Sequence, residues 1–343
     1  MKKLFYKLRK RKEVPVSSRI TSETVAHHRE RILAGGRRFK YPIQYARHRL
    51  VINAILISLG ALILALAIGF WQLYIVQNTN EFMYRITKVL PVPVAKIEGQ
   101  PVLYSDYLLK YRSSAHYLEQ KEKLVAKTDD GKRQIEYIKQ QSMRDAIADA
   151  YAYKLSKKLN ISVSDSELES FLKEQRQSSD GEISQQTYDA VVLDYYGWSS
   201  SEYRHVAEIK LLRQKVVYAI DKDAAATTEN LLNELKSDST VDFNSLVAKI
   251  SKETDKKVVY DTSGWISKSN QDGGLSAAAA KLSKMQLSGS VKSTIGDGYY
   301  IIRLLDVNDT QVSYEYIQVP LTTFTKSLDD AFNTDKVKEY ISV

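Results

Sequence analysis

The apolar stretch at residues 50–76 constrains this chain more than any other feature. It reads LVINAILISLGALILALAIGFWQLYIV, and no charged residue occurs between Arg49 and Glu81. As a helix it would be roughly 40 Å long, whereas the hydrocarbon core of a bilayer is about 30 Å thick. Trp71 and Tyr74 stand near its distal end, where such rings favour the membrane interface. The stretch predicts a transmembrane helix, because buried core helices rarely run this long without a charge.

The charges around this span predict its orientation. Residues 1–49 carry 15 lysines and arginines against three acidic residues, a formal charge of +12. The whole chain has a net charge of +9, so the remainder carries −3. Basic flanks stay on the cytoplasmic side, so we expect the N-terminus in the cytoplasm and the C-terminal domains outside the cell membrane. The tripeptide FWQ at 70–72 offers no small-residue cleavage site, which predicts an uncleaved signal anchor.

Composition excludes several kinds of chemistry. The chain has no cysteine, and therefore no disulfide, thiol nucleophile or Cys-ligated metal. His27, His28 and His48 have no carboxylate partners at metal-ligand spacing, so neither a metal nor a cofactor is expected. The basic run at 1–12 predicts either a solvated orientation signal or an amphipathic helix on anionic lipid. Nucleic-acid binding is not expected, because no folded module or aromatic platform accompanies these charges.

Residues 92–220 have the pattern of an α-helical domain. The opening VAKIEGQPV predicts two short strands around a glycine turn, and helices are expected at about 105–127 and 132–159. Ser164 and Ser199 each precede a glutamate by three residues, a capping box that marks a helix start. A further helix is predicted to end at Gly197. Its buried face is predicted from the spacing of Tyr188, Val191, Val192, Tyr195 and Tyr196.

These features resemble a known family of foldases. The VAKIEGQPV opening and the segment DYYGWSSSEYRHVAEIKLLRQKV at 194–216 are similar to the N-terminal chaperone domain of SurA, PrsA and PpiD-type proteins. The resemblance implies a helical domain that cradles unfolded polypeptide. Twelve of the 23 tyrosines lie between Tyr104 and Tyr218, which indicates either a wet binding surface or the lining of a core boundary. His116 and His205 are isolated, and we assign them no site.

Residues 221–320 show a different order of elements. Helices are predicted at 224–236 and from Asp242 onward, followed by strands at 258–260 and 264–267. A small Ala-rich helix at 275–285 and strands at 291–294 and 299–305 complete the order. It resembles the parvulin domain, a prolyl isomerase, above all in SGWIS at 263–267, LSGSVKS at 287–293 and GYYIIR at 298–303.

The departures from the parvulin pattern bear on catalysis. Active parvulins usually carry one histidine in the first strand and a second in a later strand. In this sequence Tyr300 stands at the second position. The nearest candidate for the first strand is 217–220, which places Tyr218 at the first histidine position. Expected pocket aromatics fall at Ala280 and Leu275. We therefore name no confident catalytic residue beyond the candidates Tyr300 and Tyr218. The resemblance implies a peptide-binding set of Trp265, Leu275, Met285, Tyr299 and Tyr300.

The C-terminal segments are less informative. Residues 312–319 alternate in polarity as a strand that completes the sheet, and Pro320 ends it. The last part, 321–343, contains one possible short helix at 328–340 and is expected to be a marginal tail.

Together these patterns predict a membrane-anchored chain with one transmembrane helix, an all-α chaperone-like domain and a small α+β parvulin-like domain. The predicted divisions are a basic arm 1–49, an anchor 50–76, a linker 77–91, a helical domain 92–220, a parvulin-like domain 221–320 and a tail 321–343.

The predicted function is an extracytoplasmic chaperone or foldase that binds unfolded or nascent exported polypeptides at the bilayer, without strong catalysis. The alternatives are an active peptidyl-prolyl cis–trans isomerase and a structural envelope protein that binds one fixed partner.

Overall fold

The computed structural model describes the chain at residues 20–40, 42–178, 181–237, 241–253 and 257–343. It divides into a first unit that ends at Leu73 and a second unit that runs from Tyr74 to Val343. The amphipathic helix that the basic run at 1–12 predicts lies outside the described residues.

The first unit is helical where it is described. Helix α1 covers Ser22–Lys40 and helix α2 covers Pro42–Phe70, and a π-helical turn, Trp71–Ile75, continues α2. Within the described ranges one helix, His48–Ile75, is long and apolar enough to cross a membrane, with 28 residues and a mean hydropathy of 2.7. Its limits agree with the predicted apolar span to within two residues.

The second unit begins with residues for which a linker was predicted, at 77–91. They instead contain helix α3, Glu81–Val89, whose N-cap Asn80 accepts a hydrogen bond from the backbone N–H of Met83. Just before it, the Tyr74 hydroxyl donates a 2.6 Å hydrogen bond to the carbonyl of Pro93. This segment is therefore held by specific contacts.

The helical part follows the predicted order. Its elements are strands β1 (Pro93–Ile97) and β2 (Gln100–Leu103), helices α4 (Tyr104–Gln120), α5 (Asp129–Leu159) and α6 (Asp165–Glu174), strands β3 (Gln177–Ser178) and β4 (Gly181–Glu182), and helices α7 (Gln185–Tyr196) and α8 (Ser200–Ile220). Both predicted capping boxes, at Ser164 and Ser199, are present. Thr128 caps α5, so the DDG sequence at 129–131 forms the first turn of this helix, which was predicted to begin at about 132.

The remaining elements form a small sheet region and a C-terminal helix–strand pair. They are helices α9 (Lys222–Ser237) and α10 (Phe243–Glu253), strand β5 (Val259–Ser267), helix α11 (Leu275–Ala279), strands β6 (Val291–Lys292), β7 (Gly298–Val307) and β8 (Gln311–Pro320), helix α12 (Thr323–Asn333) and strand β9 (Val337–Glu339). Strands β5, β8, β7 and β6 lie side by side in that order, all antiparallel.

The two faces of this sheet carry separate cores, because side chains alternate along a strand. On one face Tyr299 and Ile301 of β7 pack with Phe243 and the leucines of α9. On the other face Tyr300 and Ile302 pack with Leu275 of α11. Neighbouring residues of β7 thus belong to different cores.

Two local predictions in this region were wrong, and one was confirmed. Residues 217–220 form the last turn of α8 and no first strand, since the capped helix continues unbroken to Ile220. The two strands predicted at 258–260 and 264–267 are one strand, β5, with an irregular register between Thr262 and Trp265. The strand predicted at 312–319 does complete the sheet, as β8, in an interior position.

The residues after Pro320 are an integral part of the second unit. The helix predicted at 328–340 lies instead at α12, and β9 pairs with β1, with Ala95 opposite Glu339. Asp221 fixes the start of this segment, because its Oδ2 accepts the backbone N–H groups of Thr322 and Thr323 at 2.7 and 2.9 Å. These partners lie over a hundred positions apart in sequence, which local patterns do not reveal.

Candidate functional site

A chain of five aromatic rings runs along α7 and the start of α8. We call this set the aromatic row: Tyr188, Tyr203, Trp198, Tyr196 and Tyr195. The rings of Tyr196 and Trp198 stack with centroids 4.8 Å apart, and Trp198 stacks on Tyr203 at 6.4 Å. The hydroxyls of Tyr203 and Tyr188 share a 2.8 Å hydrogen bond. The row is thus continuous from a half-buried end at Tyr188 to an exposed end at Tyr195.

The exposed end of the row belongs to an apolar patch. Val191, Leu193, Tyr195 and Tyr196 are 43–55% exposed, and of α7 only Val192 is buried. The inward stripe predicted for this helix was therefore wrong for Val191, Tyr195 and Tyr196. The helix has apolar residues on more than one side, and its neighbours α4 and α8 cover only one of them.

Polar groups border this patch. The ammonium group of Lys121 lies 4.4 Å from the centre of the Tyr195 ring and 2.5 Å from a carboxylate oxygen of Asp194. The His116 ring bonds the Asp194 carbonyl at 3.0 Å, so His116 supports the end of α7. An exposed apolar area with a polar border is typical of a surface that contacts other chains.

The turn after α7 positions the exposed tyrosines. Gly197 has a left-handed backbone with φ +67° and closes the helix as predicted, through its N–H on the Leu193 carbonyl. A Cβ at this position would lie 3.2 Å from the His116 ring. The indole nitrogen of Trp198, one residue on, is buried and has no hydrogen-bond partner. Sequence analysis did not single out Trp198, although it stands in the segment that carries the family resemblance.

Two cavities lie along the long helix α8. The first, of about 380 Å³, has a floor that includes Val206, Ile209 and Phe324. Asp149 at its wall pairs with Lys110 at 2.6 Å and with Arg213 at 3.2 Å. These ion pairs compensate the charges of Asp149, Lys110 and Arg213 and join helices α4, α5 and α8.

The second cavity, of about 690 Å³, lies between α6 and α8 and is lined partly by Phe171, Leu211 and Tyr218. Glu167 and Lys215 pair at its edge at 2.5 Å. The hydrogen bond from Lys215, with those of Ser164, lowers the pKa of Glu167 to about 2. The carboxylate is therefore ionised at neutral pH and belongs to the helix cap.

The two candidate catalytic tyrosines both bond the turn between β6 and β7. The Tyr218 hydroxyl donates to the carbonyls of Ser293 and Gly298 at 2.9 and 2.7 Å. The Tyr300 hydroxyl donates to the carboxylate of Asp297 at 2.7 Å. Burial raises the pKa of both phenols, and Asp297 raises that of Tyr300 further. The two rings belong to the cores on opposite faces of the sheet.

The predicted peptide-binding set is divided in the same way. Leu275 and Tyr300 are buried together on one face, whereas Tyr299 is buried on the other and stacks edge-on to Tyr218 at 5.1 Å. Trp265 and Met285 are 50% and 57% exposed. The structure thus places three of the five residues in cores and two at the surface.

One further titratable pair involves a histidine. His205 lies 3.7 Å from Asp106, whose carboxylate raises the pKa of the imidazole. Within the part of the chain that the structure describes, no three His, Asp or Glu residues are arranged to hold a metal. The exposed end of the aromatic row is therefore the best candidate for a functional surface.

The structure thus has a long apolar helix, followed by a capped helical domain with exposed aromatic side chains. Proteins with this arrangement are the class with which the chain is compared. The model of the SurA-like N-terminal domain family matches residues 43–217, half of the chain. The chain belongs to this family, which supports a chaperone-type function. The match ends at residue 217 and does not cover residues 221–320, for which a parvulin-like domain was predicted. Comparison with curated proteins and with solved structures gave no match.

Proposed function

We propose that this protein is a membrane-anchored, extracytoplasmic chaperone that binds unfolded exported polypeptides at the exposed end of the aromatic row. Family membership supports the chaperone class. The observation that carries the proposal is the exposure of four apolar side chains of α7, Val191, Leu193, Tyr195 and Tyr196, with Lys121 and Asp194 beside Tyr195. Tyrosine suits promiscuous contacts, because it offers a large rigid ring with a polar tip.

The anchoring rests on the helix His48–Ile75 and on the charge distribution. The formal charge of +12 in residues 1–49 favours a cytoplasmic arm, and the body of the protein would then lie outside the membrane.

The region 221–320 is proposed to be a parvulin-like domain that supports binding without strong catalysis. Its element order of two helices, strand, helix and strands agrees with the resemblance. The hydroxyls of Tyr218 and Tyr300 are already bonded within the fold, which speaks against a direct catalytic role.

The decisive experiment measures suppression of aggregation of a denatured model protein by the full-length chain in nanodiscs. The test variant is Tyr195→Ser with Tyr196→Ser, and the matched control is Tyr137→Ser with Tyr153→Ser, a pair on α5 of similar exposure. We expect the test variant to suppress at least about fivefold less well, since each aromatic contact is worth about 0.5–1.5 kcal/mol.

The control variant should behave as the unmodified chain. Equal suppression by both variants would show that the aromatic row is not the binding surface. Absence of suppression in the unmodified chain, with tight binding to one native partner, would favour a structural envelope protein.

A further inference from the structure

Helix α3 has two apolar faces, although it is only nine residues long. The inner face carries Met83, Tyr84 and Thr87, which are buried against the rest of the second unit. On the opposite side Phe82 is 63% exposed and Val89 is 80% exposed. A surface helix of a soluble domain normally has polar residues on its outer face, so this outer face needs an apolar environment of its own.

The exposed apolar residues continue on either side of the helix. Ile75 and Val76 before it are 65% and 47% exposed, and Leu90 after it is 48% exposed. All of them lie within sixteen positions of the end of the apolar helix His48–Ile75. Residues 76–80, which join that helix to α3, span at most about 20 Å when extended. A bilayer that holds the helix His48–Ile75 is therefore within reach of α3.

Several contacts hold α3 in a fixed orientation on the second unit. The Tyr84 hydroxyl donates a 2.6 Å hydrogen bond to Glu202, and Lys88 pairs with the same carboxylate at 3.3 Å. Arg112 of α4 forms an ion pair with Glu81. These contacts use the inner side and the first turn of the helix, so the outer face is presented as a rigid surface.

The charges on α3 fit a lipid headgroup layer. The side chain of Arg85 is 75% exposed and lies between Phe82 and Val89 on the outer face. Its partner is Glu81 at 2.7 Å, one turn earlier. Basic side chains next to inserted apolar residues reach the phosphate level, and this arrangement is typical of helices that lie in the interface plane.

We propose that helix α3 lies on the outer lipid surface, with Phe82 and Val89 inserted at the headgroup–acyl boundary. This inference rests on the proposed membrane anchoring. Interfacial helices bury their apolar face about 5–10 Å deep. Through Tyr84 and Glu202, the lipid contact would set the orientation of α8, and with it the aromatic row, relative to the membrane.

The experiment uses the absence of cysteine from the chain. Single variants Phe82→Cys, Val89→Cys, Ile63→Cys and Tyr137→Cys are labelled with an environment-sensitive fluorophore in the full chain, reconstituted into vesicles of zwitterionic and anionic lipid. Ile63 lies in the apolar helix and reports anchoring, and Tyr137, 61% exposed on α5, is the control for a water-exposed site. Quenching is measured with lipids that carry a nitroxide near the headgroup or deep in the acyl chain.

We expect the labels at 82 and 89 to be quenched by the shallow nitroxide, the label at 63 by the deep one, and the label at 137 by neither. If the labels at 82 and 89 are quenched no more than the label at 137, while the label at 63 is still quenched, the inference is overturned and the anchoring stands. An emission shift at 82 and 89 without lipid quenching would indicate a protein partner and also overturn it. If 63 is unquenched as well, the anchoring itself fails.

Thermal melts of the four labelled chains serve as the check on folding. All four positions are exposed, so each variant should melt within a few degrees of the unmodified chain.

Discussion

The hydroxyl of Tyr84 donates a 2.6 Å hydrogen bond to Oε1 of Glu202, and this contact joins helix α3 to the first turn of helix α8. The other carboxylate oxygen of Glu202 accepts the backbone N–H of Ser199 at 3.0 Å and completes the capping box. The carboxylate of Glu202 therefore caps the first turn of helix α8 and also binds helix α3, which follows the apolar span.

Acid stability should depend on Glu202. Burial opposes its ionisation, but hydrogen bonds from Tyr84, Ser199 and Lys88 outweigh burial and lower its pKa to about 2. A depressed carboxylate pKa stabilises the fold above the unfolded-state value of about 4.3, and this stabilisation is lost as the pH falls toward 2. Glu202→Gln should lower the free energy of unfolding at pH 7 by about 1–3 kcal/mol and flatten its pH dependence below pH 4.3.

Urea titrations at several pH values measure this effect. Tyr84→Phe is the matched control, because it removes the contact with α3 and keeps the cap and its charge. It should lose part of the pH dependence, because Tyr84 donates the hydrogen bond that lowers this pKa most, and it should keep the part that Ser199 and Lys88 supply. If the Glu202→Gln variant loses stability below pH 4.3 as steeply as the unmodified chain, Glu202 is not the source of this pH dependence.

Gly197 should be intolerant of substitution. Its φ of +67° is unfavourable for residues with a Cβ, and that Cβ would meet the His116 ring at 3.2 Å. Gly197→Ala should lower the free energy of unfolding by about 1–2 kcal/mol. Gly289→Ala, where a Cβ meets nothing within 4 Å, is the control and should be neutral or slightly stabilising. Equal midpoints for the two variants in thermal unfolding would refute the role of Gly197.

Prolyl isomerisation by the full chain should match the uncatalysed rate. The phenols of Tyr218 and Tyr300, which were predicted at the histidine positions of the parvulin pattern, are both bonded to the β6–β7 turn, and Tyr218 lies in helix α8. A protease-coupled peptide assay measures this, because the uncatalysed reaction takes tens to hundreds of seconds. An acceleration that Tyr218→Phe or Tyr300→Phe abolishes would establish an enzyme. A loss of stability in Tyr218→Phe without any rate change is the expected outcome.

The orientation of the chain can be tested with an impermeant maleimide on cells with a permeabilised wall. Val125→Cys, 60% exposed after α4, should be labelled from outside, whereas Ile20→Cys, 91% exposed before α1, should react only after lysis. The physical reason is the excess of basic residues in the first 49 positions. The reverse labelling pattern would place the body of the protein in the cytoplasm.

Local chemistry explains which features the sequence could predict. The capping boxes at Ser164 and Ser199 and the stop at Gly197 each depend on neighbours within a few residues, and all three were confirmed. The apolar helix was equally evident, because an uncharged run of this length has few alternatives.

The features that sequence did not predict depend on distant partners. The exposure of Tyr195 is set by how far α4 and α8 extend over α7, and the pairing of Tyr218 with Ser293 crosses 75 positions. The assignment of 217–220 to a strand failed for the same reason. Its β-branched and aromatic residues suit a strand, but the helix that begins at Ser200 continues through them.

The pairing of β9 with β1 has a consequence for biosynthesis. Ala95 of β1 lies opposite Val102 of β2 on one side and opposite Glu339 of β9, much later in the chain, on the other. Chains are made from the N-terminus, so this edge of β1 stays without its partner until residues 337–339 have been made. A nascent chain or a product truncated before Val337 would expose an open strand edge, which β9 covers in the folded protein.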